Sequence, residues 1–205
     1  MKKNSFSIKD AVSYGWKKST SNVKFFVILF LIFIAANAVP GILADIFNQE
    51  RASFLGFAAQ LIGWGLQLVV SLGLINVALR LHDNKKVVYK DMFANVNLVI
   101  PYLFGSIIYG IIMFVGFVLL IIPGIIWSIK FRYFPYFMVD RNMGPIDAMR
   151  ESAKITKGFK WQLFLLGLAL IAINILGALA LIIGLFITVP LSMMAEAYVY
   201  RKLSK

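Results

Sequence analysis

The apolar residues of this chain are gathered into runs that are long enough to cross a lipid bilayer. A helix needs about 20 predominantly apolar residues to span the hydrocarbon core. Six runs approach or exceed that length, at residues 24–46, 54–80, 98–122, 124–140, 161–183 and 185–203. They predict an all-α integral membrane bundle of about six transmembrane helices, forming a single transmembrane domain over residues 1–205.

The composition supports the same interpretation. Hydrophobic residues make up 60% of the 205 residues, whereas ordinary soluble domains are about half apolar. A water-soluble core of this size could not hide so much apolar surface. A cleaved signal peptide is the lesser alternative for the first run, because residues 25–34 resemble an apolar h-region and residues 36–38 fit a small-x-small cleavage site.

The Lys and Arg residues lie in alternate gaps between the apolar runs. All but three of the 21 lie in or at the edges of four gaps, namely before the first run, between the second and third, between the fourth and fifth, and after the last. The exceptions are Arg51, Lys130 and Arg132. Because Lys and Arg are retained on the cytoplasmic side of membranes, the pattern predicts that both termini are cytoplasmic.

The net charge of +12 points to a negatively charged partner. The cations lie in short gaps between apolar runs, and no separate soluble domain remains to carry a nucleic-acid surface. Anionic lipid headgroups are therefore the predicted partner, and nucleic acid is not expected.

The residues needed for most enzyme chemistry are scarce. The chain has no Cys, one His and nine acidic residues. No Ser/His pair and no pair of carboxylates is predicted to meet at membrane depth. We therefore expect no catalytic, cofactor-binding or metal-ligating residue, no cofactor, and no enzymatic activity.

Three stretches of the chain, residues 7–83, 88–142 and 144–203, follow a similar plan. Each has a polar segment with an Asp, an apolar run, a corner and a second apolar run. The corners are Val39-Pro40-Gly41-Ile42, Ile122-Pro123-Gly124-Ile125 and Ile183-Gly184-Leu185, and Gly116 matches Gly177. Since Pro and Gly end helices and permit tight reversals, each unit is predicted to be an interfacial helix followed by a transmembrane hairpin. The alternative is a coincidence of apolar sequences.

The clearest interfacial helix is predicted at residues 145–160. Pro145 suits a first helical turn. Ile146, Met149 and Ala153 would share an apolar face, and the opposite face would present three cations to lipid headgroups: Arg150, Lys154 and Lys157. In the first unit, Ser7 and Asp10 suggest a helix start, and that helix is either interfacial or a solvated loop helix.

Three ionisable residues lie inside the apolar runs and away from the ends of the runs, namely Lys130, Arg132 and Glu196. An ionisable side chain at membrane depth costs about 2.5–3.5 kcal/mol on insertion scales, so each is a functional candidate. One hypothesis pairs Glu196 with Lys130 or Arg132 in the bundle interior. The other is that the two cations reach the inner interface with their long side chains and that Glu196 is wetted there.

Uncharged polar residues also lie within the runs. In the second run, small and polar residues recur every four positions, at Ala59, Gly63, Gln67 and Ser71, with Gln60 beside them. This stripe predicts a packing seam, and a substrate path along Gln60 and Gln67 is the alternative. Asn37 and Asn174 have the same two interpretations. Pro135 and Pro190 are predicted to kink the fourth and sixth runs.

Three short motifs carry a resemblance to known proteins. They are Leu120-Ile-Ile-Pro-Gly-Ile-Ile-Trp127, then Ala148-x-x-x-Ser152-x-x-x-Thr156-Lys157-Gly158-x-x-Trp161, and Val189-Pro190 leading into Ala197-Tyr198-x-Tyr200-Arg201. Here the chain resembles uncharacterised bacterial polytopic inner-membrane proteins related to the membrane domain of glycerophosphoryl diester phosphodiesterases. The resemblance covers mainly residues 98–203. It implies a bacterial inner-membrane bundle connected with lipid or envelope metabolism, and it brings no catalytic residues.

Two functions remain open from the sequence. The first is a non-enzymatic membrane protein that organises lipid or a partner protein, with basic helices touching anionic headgroups. The alternative is a small transporter or permease-like protein that uses Glu196, Lys130, Gln60 or Gln67 along its path. A protein partner or a homo-oligomer is compatible with either.

Overall fold

The computed structural model describes residues 5–49, 53–180 and 183–205. In those ranges the regular structure is entirely helical. The α-helices are α1 (Ile8–Ser21), α2 (Val23–Gln49), α3 (Ser53–His82), α4 (Val99–Leu119), α5 (Ile121–Phe131), α6 (Phe134–Arg141), α7 (Pro145–Thr156), α8 (Lys160–Leu179) and α9 (Leu185–Leu203). Two short 3-10 helices, Tyr89–Phe93 and Val96–Leu98, connect α3 to α4.

Four segments of the described chain are long and apolar enough to cross a membrane: Val23–Ile46, Phe54–His82, Tyr89–Leu119 and Lys160–Leu179. They correspond to the first, second, third and fifth predicted runs. Large apolar side chains are uncovered on these helices, and Phe54, Phe114 and Leu179 are 79%, 71% and 74% exposed. Such extensive exposed apolar surface indicates contact with a non-aqueous phase. The prediction of a multi-pass helical membrane protein is therefore supported for four spans, while six are not confirmed.

The fourth predicted run, residues 124–140, is not one helix. It is divided into α5 and α6, with Arg132 and Tyr133 between them. The 11 residues of α5 extend only about 16 Å at 1.5 Å per residue, which is about half of the hydrocarbon thickness. Pro135 lies in the first turn of α6, where its missing N–H is not needed. The predicted kink at Pro135 is therefore a complete break in the helix.

The sixth predicted run forms α9, which is the central helix of the bundle. It contacts α1, α2, α3 and α8, and Pro190 lies inside it. Its buried residues are Pro190, Leu191, Met194, Ala195, Ala197, Val199, Tyr200 and Leu203. A helix enclosed on so many sides is a core element of the protein.

Helix α1 begins as predicted but packs differently. The Ser7 side chain accepts a hydrogen bond from the N–H of Asp10 at 3.4 Å, which confirms the predicted helix start. The buried residues Ala11, Gly15 and Ser19 form the inner face of a helix that contacts mainly α9. A Cβ on Gly15 would collide with the carbonyl oxygen of Leu191. This glycine therefore allows α1 to pack tightly on the central helix, and the location of α1 at the membrane interface or in a solvated loop stays a prediction.

Two of the three predicted corners are displaced. Pro40 lies inside α2, which continues to Gln49, so the predicted reversal at Pro40 was wrong and residues 50–52 lie outside the described residues. The second reversal occurs at Leu120, whose backbone is extended, and Pro123 lies in the first turn of α5. Gly184 caps the start of α9 as expected. The displacement of the second corner follows from the tolerance of helix first turns for Pro.

Glycines close the α4–α5 and α8–α9 hairpins at matching positions. A Cβ on Gly116 would lie 3.0 Å from the Cα of Gly124, and one on Gly177 would lie 3.2 Å from the carbonyl carbon of Gly184. The element order also follows the predicted plan in the first and third units, each of which has a short helix followed by two long ones. The middle unit opens with the 3-10 helices instead. The repeat itself stays a prediction.

Helix α7 starts at Pro145, as predicted, and ends at Thr156 rather than at residue 160. Its buried residues are Ala148, Met149, Ser152 and Thr156, whereas Ile146 is exposed. Of the predicted apolar face, Met149 is covered by protein and Ile146 is not. The inward face is rotated toward Ser152 and Thr156 because these two hydroxyls bind backbone groups of the neighbouring break.

Candidate functional site at the α5–α6 break

The backbone at the break between α5 and α6 is hydrogen-bonded by α7. The Ser152 hydroxyl accepts the N–H of Tyr133 at 3.0 Å and donates to the carbonyl of Lys130 at 2.9 Å. The Thr156 hydroxyl lies 3.2 Å from the same carbonyl oxygen. A helix end leaves N–H and C=O groups without intrahelical partners, and burying them unpaired is unfavourable. The Ser152 and Thr156 side chains therefore stabilise the break and attach α7 to it.

The Arg132 side chain forms an ion pair with Glu196 of α9. The guanidinium Nη2 donates to the carboxylate Oε1, and the two side chains are 30% and 12% exposed. A Cβ on Gly167 of α8 would lie 3.1 Å from Nη1 of Arg132, so this glycine makes room for the guanidinium. The sequence left the partner of Glu196 open between two cations, and in the structure the partner is Arg132.

Lys130 points to another surface. Its Nζ lies 4.9 Å from the ring centroid of Phe131, and the residue lines a groove between α4 and α5 together with Trp127. It has no ion pair among the described residues. Of the two candidate cations in the fourth run, only Arg132 joins the interior pair.

Tyrosines pack beside the break. The ring of Tyr133 lies 5.6 Å from that of Tyr136 and 6.0 Å from that of Tyr200, measured between centroids. The Tyr133 hydroxyl and the Glu196 Oε2 are both buried, and the Tyr133 hydroxyl interacts with the Glu196 carboxylate. The carboxylate therefore has Tyr133 as well as Arg132 as a polar neighbour.

A second polar cluster, which sequence reasoning missed, joins the ends of α3, α6 and α9. Arg201 donates to the carboxylates of Asp140 and Asp83, each at 2.7 Å. The Tyr200 hydroxyl donates to Asp140 at 2.8 Å, and Lys18 donates to the Asn84 side chain at 2.9 Å. The sequence signal that could have revealed this cluster is the presence of Asp83 and Asp140 in or beside the basic gaps between apolar runs. We call this end of the bundle the basic end.

The basic end brings together all four segments that were predicted to be cytoplasmic. They are the region before the first run, the α3–α4 connection, the α6–α7 connection and the C-terminal segment. The hydrogen bonds of Lys18 and Arg201 link these segments. Arg141 adds another link by donating to the Ser204 carbonyl at 2.9 Å. His82 packs there between Tyr14 and Tyr198, with ring centroids 5.2 Å and 6.0 Å away. Burial, with a smaller contribution from the negative charge of Asp83, raises the pKa of Tyr14 to about 12.

The polar stripe of α3 faces α2 at Gly63. A Cβ at Gly63 would lie 2.6 Å from the Cβ of Pro40, which is the close approach expected of a packing seam. Gln60 and Gln67 are exposed and line a cavity of about 120 Å³ between the two helices. Ala59 is half-buried, and the Ser71 hydroxyl donates to the Gln67 carbonyl of its own helix at 2.8 Å. The substrate-path alternative is not decided by this geometry.

Asn174 forms a hydrogen bond between neighbouring helices. Its Nδ2 lies 2.8 Å from the Ser192 hydroxyl of α9 and 2.9 Å from the Leu170 carbonyl of its own helix. This contact agrees with the expectation that amides bond across helix contacts. The side chain of Asn37 lies outside the described residues.

The three predicted headgroup contacts lie on the exposed side of α7. Arg150 pairs with Asp147 at 3.2 Å and Lys154 pairs with Glu151, so two of the cations have a neighbouring carboxylate. Lys157 is exposed and has no ion pair in the described chain. Exposed pairs of this kind are weak, so the cations remain available to a stronger anionic partner.

Comparison with known proteins gives a family without an assigned activity. The chain is 26% identical over 230 aligned positions to "Uncharacterized protein Rv2560" of Mycobacterium tuberculosis and, at the same identity, to "Uncharacterized protein Mb2590" of Mycobacterium bovis. Each alignment covers 100% of this chain and 70% of the relative. None of these matches is described as a phosphodiesterase. No solved structure matches the chain. Residues 102–205 match the family described as "Protein of unknown function (DUF975)", and the chain belongs to that family.

Proposed function

We propose that this chain is a non-enzymatic protein of the bacterial inner membrane that binds anionic lipid headgroups at the cytoplasmic surface. The observation that carries the proposal is the fixed position of α7. Its inner face is hydrogen-bonded to the α5–α6 break through Ser152 and Thr156. Its outer face presents Arg150, Lys154 and Lys157.

A helix held in place is an effective binding element. Ordering a mobile side chain or loop on binding costs free energy, and a preorganised surface avoids much of that cost. Each Lys or Arg close to an anionic membrane surface contributes about 1 kcal/mol. Arg150 and Lys154 each form an ion pair with a carboxylate of α7. Each of these two cations therefore contributes less than about 1 kcal/mol to binding of the anionic surface.

The positions of the other cations support the assignment of the basic end to the cytoplasmic side of the membrane. The N-terminal region, the α3–α4 connection, the α6–α7 connection and the C-terminal segment meet at the basic end. Cations are retained on the cytoplasmic side, so we assign the basic end and both termini to the cytoplasm. The resemblance to the membrane domain of glycerophosphoryl diester phosphodiesterases extends the proposal to lipid metabolism.

The test is the lipid preference of the purified protein in nanodiscs or mild detergent. Native mass spectrometry would count retained phosphatidylglycerol against phosphatidylcholine. A variant with Arg150, Lys154 and Lys157 replaced by Gln should retain at least tenfold less phosphatidylglycerol. The matched control replaces three exposed lysines of the α3–α4 connection, Lys85, Lys86 and Lys90, and should retain more than the α7 variant. Equal retention by wild type and the α7 variant would refute the proposal.

A transporter is the second candidate, and the Arg132–Glu196 pair favours it. The partly exposed Arg132–Glu196 pair lies beside a helix break, and discontinuous helices of this kind form transporter sites. Flux of solute or scrambling of lipid in proteoliposomes should then disappear in Glu196→Ala and persist in Lys130→Gln. An absence of flux in the wild type across ionic and neutral solutes would count against this candidate.

A further inference from the structure

An apolar groove runs along the outer surface between α5 and α8. Its volume is about 310 Å³. Four isoleucines of α5 line one side: Ile122, Ile125, Ile126 and Ile129. Trp161 and Phe164 of α8 line the other side, and their rings stack with centroids 5.4 Å apart. Such a trough fits a flexible hydrocarbon chain.

The polar member of the groove lies at one end. Lys160 is the first residue of α8 and lines the groove. The Thr156 hydroxyl lies 3.2 Å from the Lys130 carbonyl, so the α7–α8 connection lies next to the last turn of α5. Lys160 and Trp161 therefore lie beside the Ile129 end of the groove, and the Ile122 end lies toward the α4–α5 turn.

The charge at that end is uncompensated. Lys157 and Lys160 are three residues apart and exposed, and neither has an ion pair among the described residues. The neighbouring cations Arg150 and Lys154, in contrast, are paired within α7. Trp161 is 69% exposed, and Trp favours the level of lipid headgroups. An apolar trough with two free ammonium groups and an indole at one end matches the chemistry of one class of ligand.

We propose that the α5–α8 groove binds one anionic phospholipid, with its phosphate between Lys157 and Lys160 and an acyl chain along the isoleucines of α5. The charge complementarity selects an anionic lipid over a zwitterionic one, and the groove selects a lipid over free phosphate. This inference rests on the proposed function and names the position at which the lipid is held. It goes beyond the proposed function because it adds Lys160 and the apolar trough to the basic surface of α7.

The experiment compares three variants of the full chain by native mass spectrometry with phosphatidylglycerol. Lys160→Gln removes the charge at the groove, Ile126→Trp fills the trough, and Lys154→Gln is the matched control on α7. Lys160 is exposed and Ile126 is 36% exposed, so the melting temperature of each variant in detergent is measured to check that it still folds. We expect Lys160→Gln and Ile126→Trp each to lower retention of the most tightly held phosphatidylglycerol at least fivefold, and Lys154→Gln to change it less than twofold.

The outcomes separate this inference from the proposed function. Retention that is unchanged in both Lys160→Gln and Ile126→Trp but lost in the triple α7 variant would overturn the groove and leave the proposed function standing. Retention that is unchanged in every variant would overturn both. A short-chain phosphatidylglycerol should compete poorly with the long-chain lipid. Equal competition would show that the trough holds no acyl chain and would overturn the inference.

Discussion

Replacing Ser152 by Ala should destabilise the protein by removing the contact that satisfies the α5–α6 break. The hydroxyl accepts the N–H of Tyr133 at 3.0 Å and donates to the Lys130 carbonyl at 2.9 Å. Both Ser152 and Tyr133 are fully buried, at 0% exposure. The substitution removes one oxygen atom, so it leaves no significant apolar cavity.

The expected loss of unfolding free energy depends on which backbone groups lose their hydrogen-bond partners in Ser152→Ala. The Lys130 carbonyl keeps the Thr156 hydroxyl at 3.2 Å, whereas the Tyr133 N–H loses its bond to Ser152. A buried donor left unsatisfied costs about 1–3 kcal/mol. We therefore expect Ser152→Ala to lower the free energy of unfolding by about 2 kcal/mol, which is roughly a thirtyfold change in the unfolding equilibrium constant. Thr156→Val should cost less, because Ser152 continues to serve the Lys130 carbonyl.

The assay is reversible unfolding in mixed micelles with increasing denaturing detergent, monitored by the tyrosine and tryptophan signals. Ser71→Ala is the matched control, because the Ser71 hydroxyl donates only within its own helix, to the Gln67 carbonyl at 2.8 Å. It should change the free energy of unfolding by less than about 0.5 kcal/mol. If Ser152→Ala were no more destabilising than Ser71→Ala, the hydroxyl would not stabilise the break and the fixed position of α7 would be refuted.

Three further substitutions test other parts of the structure. Glu196→Gln should lower the melting temperature in detergent, because losing a partly buried ion pair costs about 1–2 kcal/mol of unfolding free energy. Lys130→Gln should leave the melting temperature unchanged, and equal effects of the two substitutions would refute the Arg132–Glu196 pair. Gly73→Ala should abolish folding or strongly lower the melting temperature, because its Cβ would collide with the backbone of Met92, whereas Gly65→Ala, with open space around it, should be neutral. In this Cys-free chain, a cysteine at the apolar α4–α5 turn, Leu120→Cys, should react with a membrane-impermeant maleimide at least tenfold more slowly in nanodiscs than Lys86→Cys, and equal rates would place the turn in water.

Local sequence signals located several features correctly. Ser7 accepts the hydrogen bond that starts α1, Pro145 opens α7 and Gly184 opens α9. Of the six apolar runs that were predicted to span, four form helices long and apolar enough to cross a membrane, because hydrocarbon surroundings require about 20 consecutive apolar residues whatever the neighbouring helices are. These features depend on the residues themselves or on close neighbours in the chain, so the sequence alone contains the information.

Contacts between distant segments could not be predicted in the same way. In a helix of a soluble protein, a polar face marks the side that contacts solvent. In α9 the residues that face the protein core and those that face lipid are both mainly apolar. The sequence of α9 therefore has no hydrophobic periodicity from which its central position could be predicted. The choice of Arg132 over Lys130 as the partner of Glu196 depends on the break and on the space left by Gly167. The Asp83–Arg201 contact joins residues 118 positions apart. The sequence by itself determined that this chain is suited to a lipid environment and where α1, α7 and α9 start. The tertiary structure decided which polar groups meet, because only packing brings distant residues within hydrogen-bonding distance.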